Sequence, residues 1–134
     1  MPGWLRFVIA FVVFCHGIAY LPYGFVPGQV VKEWKGSSQL LGSVLTPDRV
    51  HAAVPVLFLT AGAAMIAVAV AIALAPSIPG WWRPLAILGS VAGLAGFAAY
   101  WDGQGQLLVQ EGVIGVALSL ILLSVAIAVP KAFG

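Results

Sequence analysis

Four long apolar runs, separated by connections rich in proline, glycine and charge, dominate this chain of 134 residues. The runs cover residues 4–21, 47–75, 84–101 and 108–129. Each has at least 18 residues, long enough for a helix to cross a bilayer, which takes roughly 20 residues. Pro22, which cannot continue a regular helix, ends the first run, and residues 22–46 form a polar loop. The pattern predicts an all-α membrane protein, a single domain over residues 1–134 that is an antiparallel bundle of four transmembrane helices.

Charge is scarce, at 7% of residues against roughly 25% in an average soluble domain, whereas 62% of the residues are hydrophobic. The formal net charge is +2, from 6 Lys and Arg against 4 Asp and Glu. So few cations cannot neutralise the several phosphates that nucleic-acid binding requires. The composition therefore indicates a lipid bilayer as the environment and excludes a nucleic-acid partner. The four spans leave no room for a separate soluble catalytic domain.

Two classes of membrane protein are excluded by residues that the chain lacks. A dithiol oxidoreductase needs a pair of cysteines, but Cys15 is the only one, and it lies in an apolar run where a thiolate is disfavoured. A small proton-coupled multidrug exporter needs a carboxylate deep in a span, whereas Asp102 and Glu111 lie at span ends. No nucleophile with a base and no closed set of metal ligands can be assembled, so we expect no catalytic residue in this chain.

The second span begins at Thr46-Pro47-Asp48, which combines a hydroxyl N-cap, proline at the first helical position and an acid in the first turn. Residues 37–45 before it are predicted to form either a short interfacial helix or a packed loop. Small residues recur at helical spacing in the last three spans and let helices approach each other closely. The small residues predicted to pack helices are Ala63, Ala67, Gly89, Gly93, Gly96, Gly112 and Gly115.

Polar side chains gather at one end of the predicted bundle, the end that carries the long loop. His16 lies five residues before Leu21 and His51 four residues after Pro47. At about 1.5 Å per residue, both fall roughly 6–8 Å inside this boundary and share a layer. Polar groups are costly inside a bilayer and mark functional sites there. The predicted binding pocket consists of His16, Tyr20, His51, Asp102, Gln106 and Glu111.

Three interpretations of this polar layer stay open. In the first, the histidines bridge or cap helices by hydrogen bonds and bind nothing. In the second, the layer lines a pocket for a small molecule or a quinone head group, with His16 or His51 donating to a carbonyl. In the third, His16 and His51 ligate a haem, or share a metal with Asp102 or Glu111. Two histidines without a characteristic spacing are a weak signal for haem or a metal, so neither is predicted.

Four spans place both termini on one side of the membrane. That side carries Arg6, Arg83 and Lys131 and no acid, all close to span ends. The other side has as many basic residues, but two of them, Lys32 and Lys35, lie far from a span end. Because basic residues near span ends favour the cytoplasm, we expect both termini to lie there.

A series of short motifs runs along the chain. It consists of Arg6 early in the first span, Cys15-His16-Gly17 near its end, a Trp101-Asp102 loop and a fourth span that opens with Glu111-Gly112. In this order the motifs resemble the DoxX-like proteins. The resemblance implies a four-helix protein of the bacterial inner membrane, with Arg6, His16 and Gly17 as motif residues. Some members of this family are linked to quinone reduction and others to oxidative-stress complexes of the membrane.

The polar layer and the resemblance together predict a small integral membrane subunit of a redox or quinone-linked system. The alternative is a purely structural accessory subunit packed on a larger membrane protein complex. Abundant small residues and few charges favour this alternative, because they suit burial against other helices. Both expectations name other membrane proteins as partners.

Overall fold

The structure, a computed structural model, describes residues 1–30, 34–103 and 112–133. These residues form helices and no strand, which confirms the predicted all-α class for this part of the chain. The helices are α1 (Gly3–Phe25), α2 (Pro27–Val30), α3 (Pro47–Ala73), α4 (Trp82–Tyr100) and α5 (Val113–Ala128).

Three of these helices, α1, α3 and α4, are long and apolar enough to cross a membrane. The shorter apolar helix, α5, has 16 residues. Its length of about 24 Å is less than the roughly 30 Å of hydrocarbon in a bilayer. The predicted fourth span begins at residue 108, but residues 104–111 lie outside the described part of the chain. The fold therefore shows a membrane protein with three candidate spans and one shorter apolar helix.

Helix α1 extends beyond its predicted end and contains a proline. The helix does not end at Leu21 but continues through Pro22 to Phe25, and the Val26 N–H donates to the Pro22 carbonyl at 2.8 Å. Proline removes one donor from the helix, but its carbonyl still accepts, and membrane helices tolerate this loss. The ends of α3 and α4 lie within two residues of the predicted bounds.

The helix α3 is central to the packing, because it lies against both α1 and α4. Helix α5 packs against α4. The helices thus associate in chain order, and α1 and α5, at the two ends of this series, approach each other less closely than the neighbouring pairs do. Many of the fully buried side chains belong to α3, among them Val50, Val54, Met65, Val68 and Ile72.

Glycine allows α1 and α3 to cross at close range. A Cβ atom placed on Gly17 would lie 3.0 Å from the Gly62 carbonyl oxygen. A Cβ atom placed on Gly62 would likewise lie 3.0 Å from the Gly17 carbonyl oxygen. Backbone atoms cannot move aside as a flexible side chain can, so a side chain at either position would force the helices apart. The motif residue Gly17 therefore has a packing role.

Glycines of α4 bring this helix close to α3. A Cβ atom on Gly89 would lie 3.2 Å from the Met65 Cε atom, and one on Gly96 would lie 3.0 Å from the Phe58 ring. Both glycines lie where helices touch, as their spacing predicts. The predicted packing residues Gly93 and Gly115 lie next to the polar side chains described below.

Three of the predicted packing residues are not at close helix contacts. Ala63 is exposed and Ala67 is half-buried. The buried positions of this part of α3 form other four-residue series, 61/65/69 and 64/68/72, and Ala63 and Ala67 lie outside both. Around Gly112, an added Cβ would have open space, and the residue has a φ of 105°. Gly112 therefore permits a left-handed turn before α5 rather than a helix contact.

The start of α3 is confirmed. The Thr46 side-chain oxygen accepts a hydrogen bond from the Arg49 N–H at 3.4 Å, Pro47 is the first helical residue and Asp48 lies in the first turn. Residues 37–45 form turns and bends rather than a helix. Of the two alternatives for this segment, the packed loop is confirmed.

The loop residues 34–39 cap the C-terminal end of α4. Trp34 Nε1 donates to the Tyr100 carbonyl at 2.6 Å, and the Ser38 hydroxyl donates to the Ala98 carbonyl at 2.6 Å. The last four carbonyls of a helix have no partner within it, and leaving them unpaired is costly near lipid. The loop therefore stabilises the end of α4 and is itself held in place.

Candidate functional site

Three polar side chains meet in the gap between α1 and α5. His16 and Tyr20 lie one turn apart on α1, and Ser119 faces them from α5. The Ser119 Oγ atom lies 2.6 Å from the Tyr20 hydroxyl oxygen and 3.2 Å from the His16 Nε2 atom. The two rings pack together with their centroids 4.6 Å apart, and all three residues are buried. We refer to this group as the His16–Tyr20–Ser119 cluster.

The cluster has more polar hydrogens than hydrogen bonds. With His16 neutral, each of the three side chains carries one polar hydrogen, and the two bonds to Ser119 use two of them. The third hydrogen lies on His16 Nδ1, on Tyr20 or on Ser119, depending on the direction of the two bonds. Within residues 1–30, 34–103 and 112–133, no protein group accepts it. The cluster therefore has one spare hydrogen-bond donor.

Two glycines make room for the cluster. A Cβ atom on Gly93 of α4 would clash with the Tyr20 hydroxyl and would lie 3.3 Å from the Ser119 Oγ atom. A Cβ atom on Gly115, one turn before Ser119 on α5, would lie 3.5 Å from the His16 Cε1 atom. Small residues at these two positions thus give the polar side chains the space in which they meet.

An apolar cavity of about 470 Å³ opens beside the cluster, in the half of the gap that faces the long loop. His16 and Tyr20 form part of its wall. Most of the remaining wall is apolar and includes Phe11, Ala19, Phe58, Ile114 and Leu118. Phe11 and Ile114 are exposed, so the cavity opens on the outer surface of the molecule.

A second cavity, of about 300 Å³, continues the gap toward the chain termini. Its own lining is apolar and includes Val8, Ile9, Val13, Ile121, Leu122 and Val125. Val12, His16 and Leu118 line both cavities. The two cavities therefore adjoin at these residues, and we call them together the α1–α5 groove, with the cluster near its middle.

The structure places His51 apart from the cluster. Its ring is exposed and packs on Trp34 of the loop, with the centroids 5.2 Å apart. Asp102 accepts a hydrogen bond from the Lys35 backbone N–H at 2.9 Å and so helps to hold the same loop against the end of α4. Both predicted pocket residues contribute to the loop contacts.

A series of ring contacts connects the cluster to this loop. Tyr20 packs on Phe58 at 5.7 Å between centroids, Phe58 on Tyr100 at 5.8 Å, and Tyr100 on Trp34 at 4.6 Å. Aromatic pairs at such distances stabilise a core beyond the area that they bury. These contacts fix the loop end of α1 against α3 and α4 and thereby hold Tyr20 in position.

Of the predicted pocket residues, the structure brings together His16 and Tyr20. Gln106 and Glu111 lie outside the described residues. The cluster contains one residue that the sequence prediction of the pocket does not include, Ser119. The available signal was weak, because α5 carries two serines, Ser119 and Ser124, in an otherwise apolar run and nothing in the sequence distinguishes them.

The described residues do not favour a shared haem or metal. No three His, Cys, Asp or Glu side chains in this part of the chain gather where they could hold a metal ion. His16 contacts Ser119 whereas His51 contacts Trp34, so the two histidine rings do not face a common ligand. The geometry favours the pocket and the helix-bridging interpretations instead.

The remaining motif residue, Arg6, lies outside the cluster. It is half-buried in the first turn of α1, and its guanidinium carbon lies 5.1 Å from the centre of the Phe7 ring. Ten residues of helix, or about 15 Å, separate it from His16. Cys15 is an exposed free thiol that lines the loop-side cavity.

Comparisons of the chain with protein-family models, with curated proteins and with solved structures find no match. The resemblance to the DoxX-like proteins therefore stays a prediction. The function has to be inferred from the geometry of the α1–α5 groove and from the sequence.

Proposed function

We propose that this chain is a small integral subunit of a redox or quinone-linked system in the bacterial inner membrane, and that it binds a quinone in the α1–α5 groove. In this proposal the fourth span predicted from the sequence, 108–129, completes an antiparallel bundle of four transmembrane helices with both termini in the cytoplasm. The DoxX-like pattern of Arg6, His16 and Gly17 supports the same function.

The spare donor of the His16–Tyr20–Ser119 cluster is the observation on which the proposal depends. A buried donor without a partner costs roughly 1–3 kcal/mol. When the spare hydrogen lies on His16 or Tyr20, its residue lines a cavity whose other walls are mainly apolar. A ligand that offers one acceptor oxygen on an otherwise apolar body would remove the cost. A quinone, with a carbonyl oxygen on a flat apolar ring, has this chemistry.

The cluster can match both redox forms of such a ligand. When Ser119 donates to His16 Nε2, the imidazole hydrogen lies on Nδ1 and can be donated to a quinone carbonyl. When Nε2 donates to Ser119 instead, Nδ1 becomes an acceptor for the hydroxyl of a quinol. In both cases Ser119 orients the ring, and the protein binds and positions the ligand.

Ser119→Ala tests the proposal, with Ser124→Ala as the matched control. Ser124 lies on the same helix, but its hydroxyl donates to the Leu120 carbonyl at 2.7 Å and does not reach α1. We expect Ser119→Ala to weaken the binding of a decyl-substituted benzoquinone in detergent by about tenfold, or about 1.4 kcal/mol, because the cluster loses its bridging oxygen. Ser124→Ala should bind like the parent. Equal binding by two folded variants would contradict the proposal.

A structural accessory subunit is the second candidate, and the open groove is the observation that favours it. The groove between α1 and α5 lies at the surface, where a helix of a larger membrane protein would fit. Purification in a mild detergent separates the candidates. A monodisperse protein that carries a small molecule supports ligand binding. Co-purification with other membrane proteins in a fixed ratio, without a bound molecule, supports the accessory role.

A further inference from the structure

We infer that the ligand carries an apolar tail, which lies in the terminal half of the α1–α5 groove while the cluster holds the polar head group. The inference rests on the proposed function, because the cluster must bind the head group. It adds a class of ligand, a lipid-soluble molecule with one polar end and a tail that points toward the chain termini.

The groove is longer than a head group requires. From His16 to Val8, its terminal half extends along about 12 Å of α1. On α5 it extends from Leu118 to Val125, or about 10 Å. A head group bound at the cluster would therefore leave this half of the groove empty unless the ligand has a second, elongated part.

The chemistry of the terminal half fits a hydrocarbon. Among the described residues that line it, His16 is the only polar one, and it belongs to the cluster, at the end of this half that faces the long loop. A water molecule needs two to four polar partners, and these walls do not offer them. The walls of an unfilled gap lack dispersion contacts, and a hydrocarbon chain that fills the gap restores them. A hydrocarbon tail is therefore the occupant that these walls favour.

Phe133 bounds the groove at its terminal end. Its ring packs edge-on against the buried Trp82, with the centroids 4.8 Å apart. Toward the outside, by contrast, the groove is bordered by the exposed side chains of Val8, Val12 and Ile121. Because Phe133 closes the terminal end of the groove while its outer side is open, we expect the tail to enter laterally from the lipid, between α1 and α5.

Val125→Phe tests the tail site, with Ile127→Phe as the matched control. Val125 lines the terminal half of the groove but not the loop-side cavity, whereas Ile127 is exposed on the same helix and lines neither. Two probes, decyl-benzoquinone and unsubstituted benzoquinone, are titrated against the parent and both variants in one detergent. Ile9→Phe, which fills the same half from α1, should repeat the effect of Val125→Phe.

We expect the parent to bind the decyl probe about tenfold more tightly than the tailless probe, since the tail buries apolar surface. Val125→Phe should remove most of this ratio without changing the affinity for the tailless probe, and Ile127→Phe should keep the parent's ratio. If Val125→Phe and Ile9→Phe both keep the parent's preference for the decyl probe, the tail does not bind in this half of the groove, and only the head-group site remains supported. If the parent does not bind the tailless probe, or if Ser119→Ala binds it equally well, the proposed function itself is wrong.

Discussion

At the residue scale, the polar cluster depends on the missing side chain of Gly93 as much as on its hydrogen bonds. The Tyr20 hydroxyl occupies the space that a Cβ atom on Gly93 would need, and Ser119 Oγ lies at the edge of the same space. Overfilling a packed site displaces side chains from their preferred rotamers. Tyr20 would have to move away from Ser119, and the cluster would lose one of its two bonds.

We therefore expect Gly93→Ala to destabilise the protein by about 1–3 kcal/mol and to weaken quinone binding. Gly28→Ala is the control, because an added Cβ there meets nothing within 4 Å. Thermal unfolding of both variants in one detergent measures the difference. A Gly93→Ala protein as stable as Gly28→Ala, with unchanged quinone affinity, would show that Tyr20 does not need this space.

Single residues of the site differ in how far the sequence predicts them. His16 can be predicted, because an ionisable side chain inside a span is costly and needs a reason. Ser119 cannot, because a serine in a helix ordinarily bonds to a carbonyl one turn earlier, as Ser124 does. Only the position of α1 relative to α5 shows that the Ser119 hydroxyl bonds across the gap instead.

At the scale of elements, the C-terminal end of α4 depends on a segment far away in the sequence. The loop residues 34–39 supply donors to its last carbonyls, and Asp102 accepts from the Lys35 N–H beyond the helix end. Because the Ser38 hydroxyl also accepts a bond from the Leu41 N–H at 3.0 Å, it fixes the loop and the helix end together.

Ser38→Ala should therefore lower the free energy of unfolding by about 1–2 kcal/mol, since the Ala98 carbonyl and the Leu41 N–H would both lose a partner. Ser43→Ala, at an exposed position of the same loop, is the control. Chemical unfolding followed by tryptophan fluorescence compares the two. Equal stability would mean that water or lipid head groups replace the Ser38 bonds.

Helix boundaries illustrate a limit of prediction at this scale. Thr46-Pro47-Asp48 correctly predicts the start of α3, because capping is decided by adjacent residues. Pro22 does not mark the end of α1, because tertiary packing keeps the last turn of the helix in place: Gly24 fits closely against Leu59 of α3. The local sequence predicts a helix end that is set by hydrogen bonds among adjacent residues. It does not predict a helix end that is set by packing against a neighbouring helix.

At the scale of the whole molecule, the groove results from the order in which the helices pack. Each of α1, α3, α4 and α5 packs against the next, which leaves α1 and α5 with a wide gap that the cluster bridges. The sequence could not predict this gap. Small residues indicate that another helix packs closely against that position. They do not indicate which helix this is, or which two helices of the bundle stay apart.

Labelling of single cysteines tests whether α5 completes a fourth span. In a Cys15→Ser background, we expect Gly3→Cys and Lys131→Cys to react with a membrane-impermeant maleimide from the cytoplasmic side. Ser43→Cys, in the long loop, should react from the opposite side only. Reaction of Lys131→Cys from the same side as Ser43→Cys would mean three spans and would contradict the four-helix topology.

Photoaffinity labelling can locate a quinone bound in the α1–α5 groove. The probe is an azido-benzoquinone with a decyl tail, activated by light on the protein in lipid nanodiscs. We expect adducts on groove residues such as Cys15 and Leu118, and their loss when unlabelled decyl-benzoquinone is in excess. Leu88 and Val91 of α4 are exposed but line neither cavity, so they report general contact with lipid. Adducts that are as frequent on Leu88 and Val91 as in the groove, and that the competitor does not reduce, would contradict a quinone site in the groove.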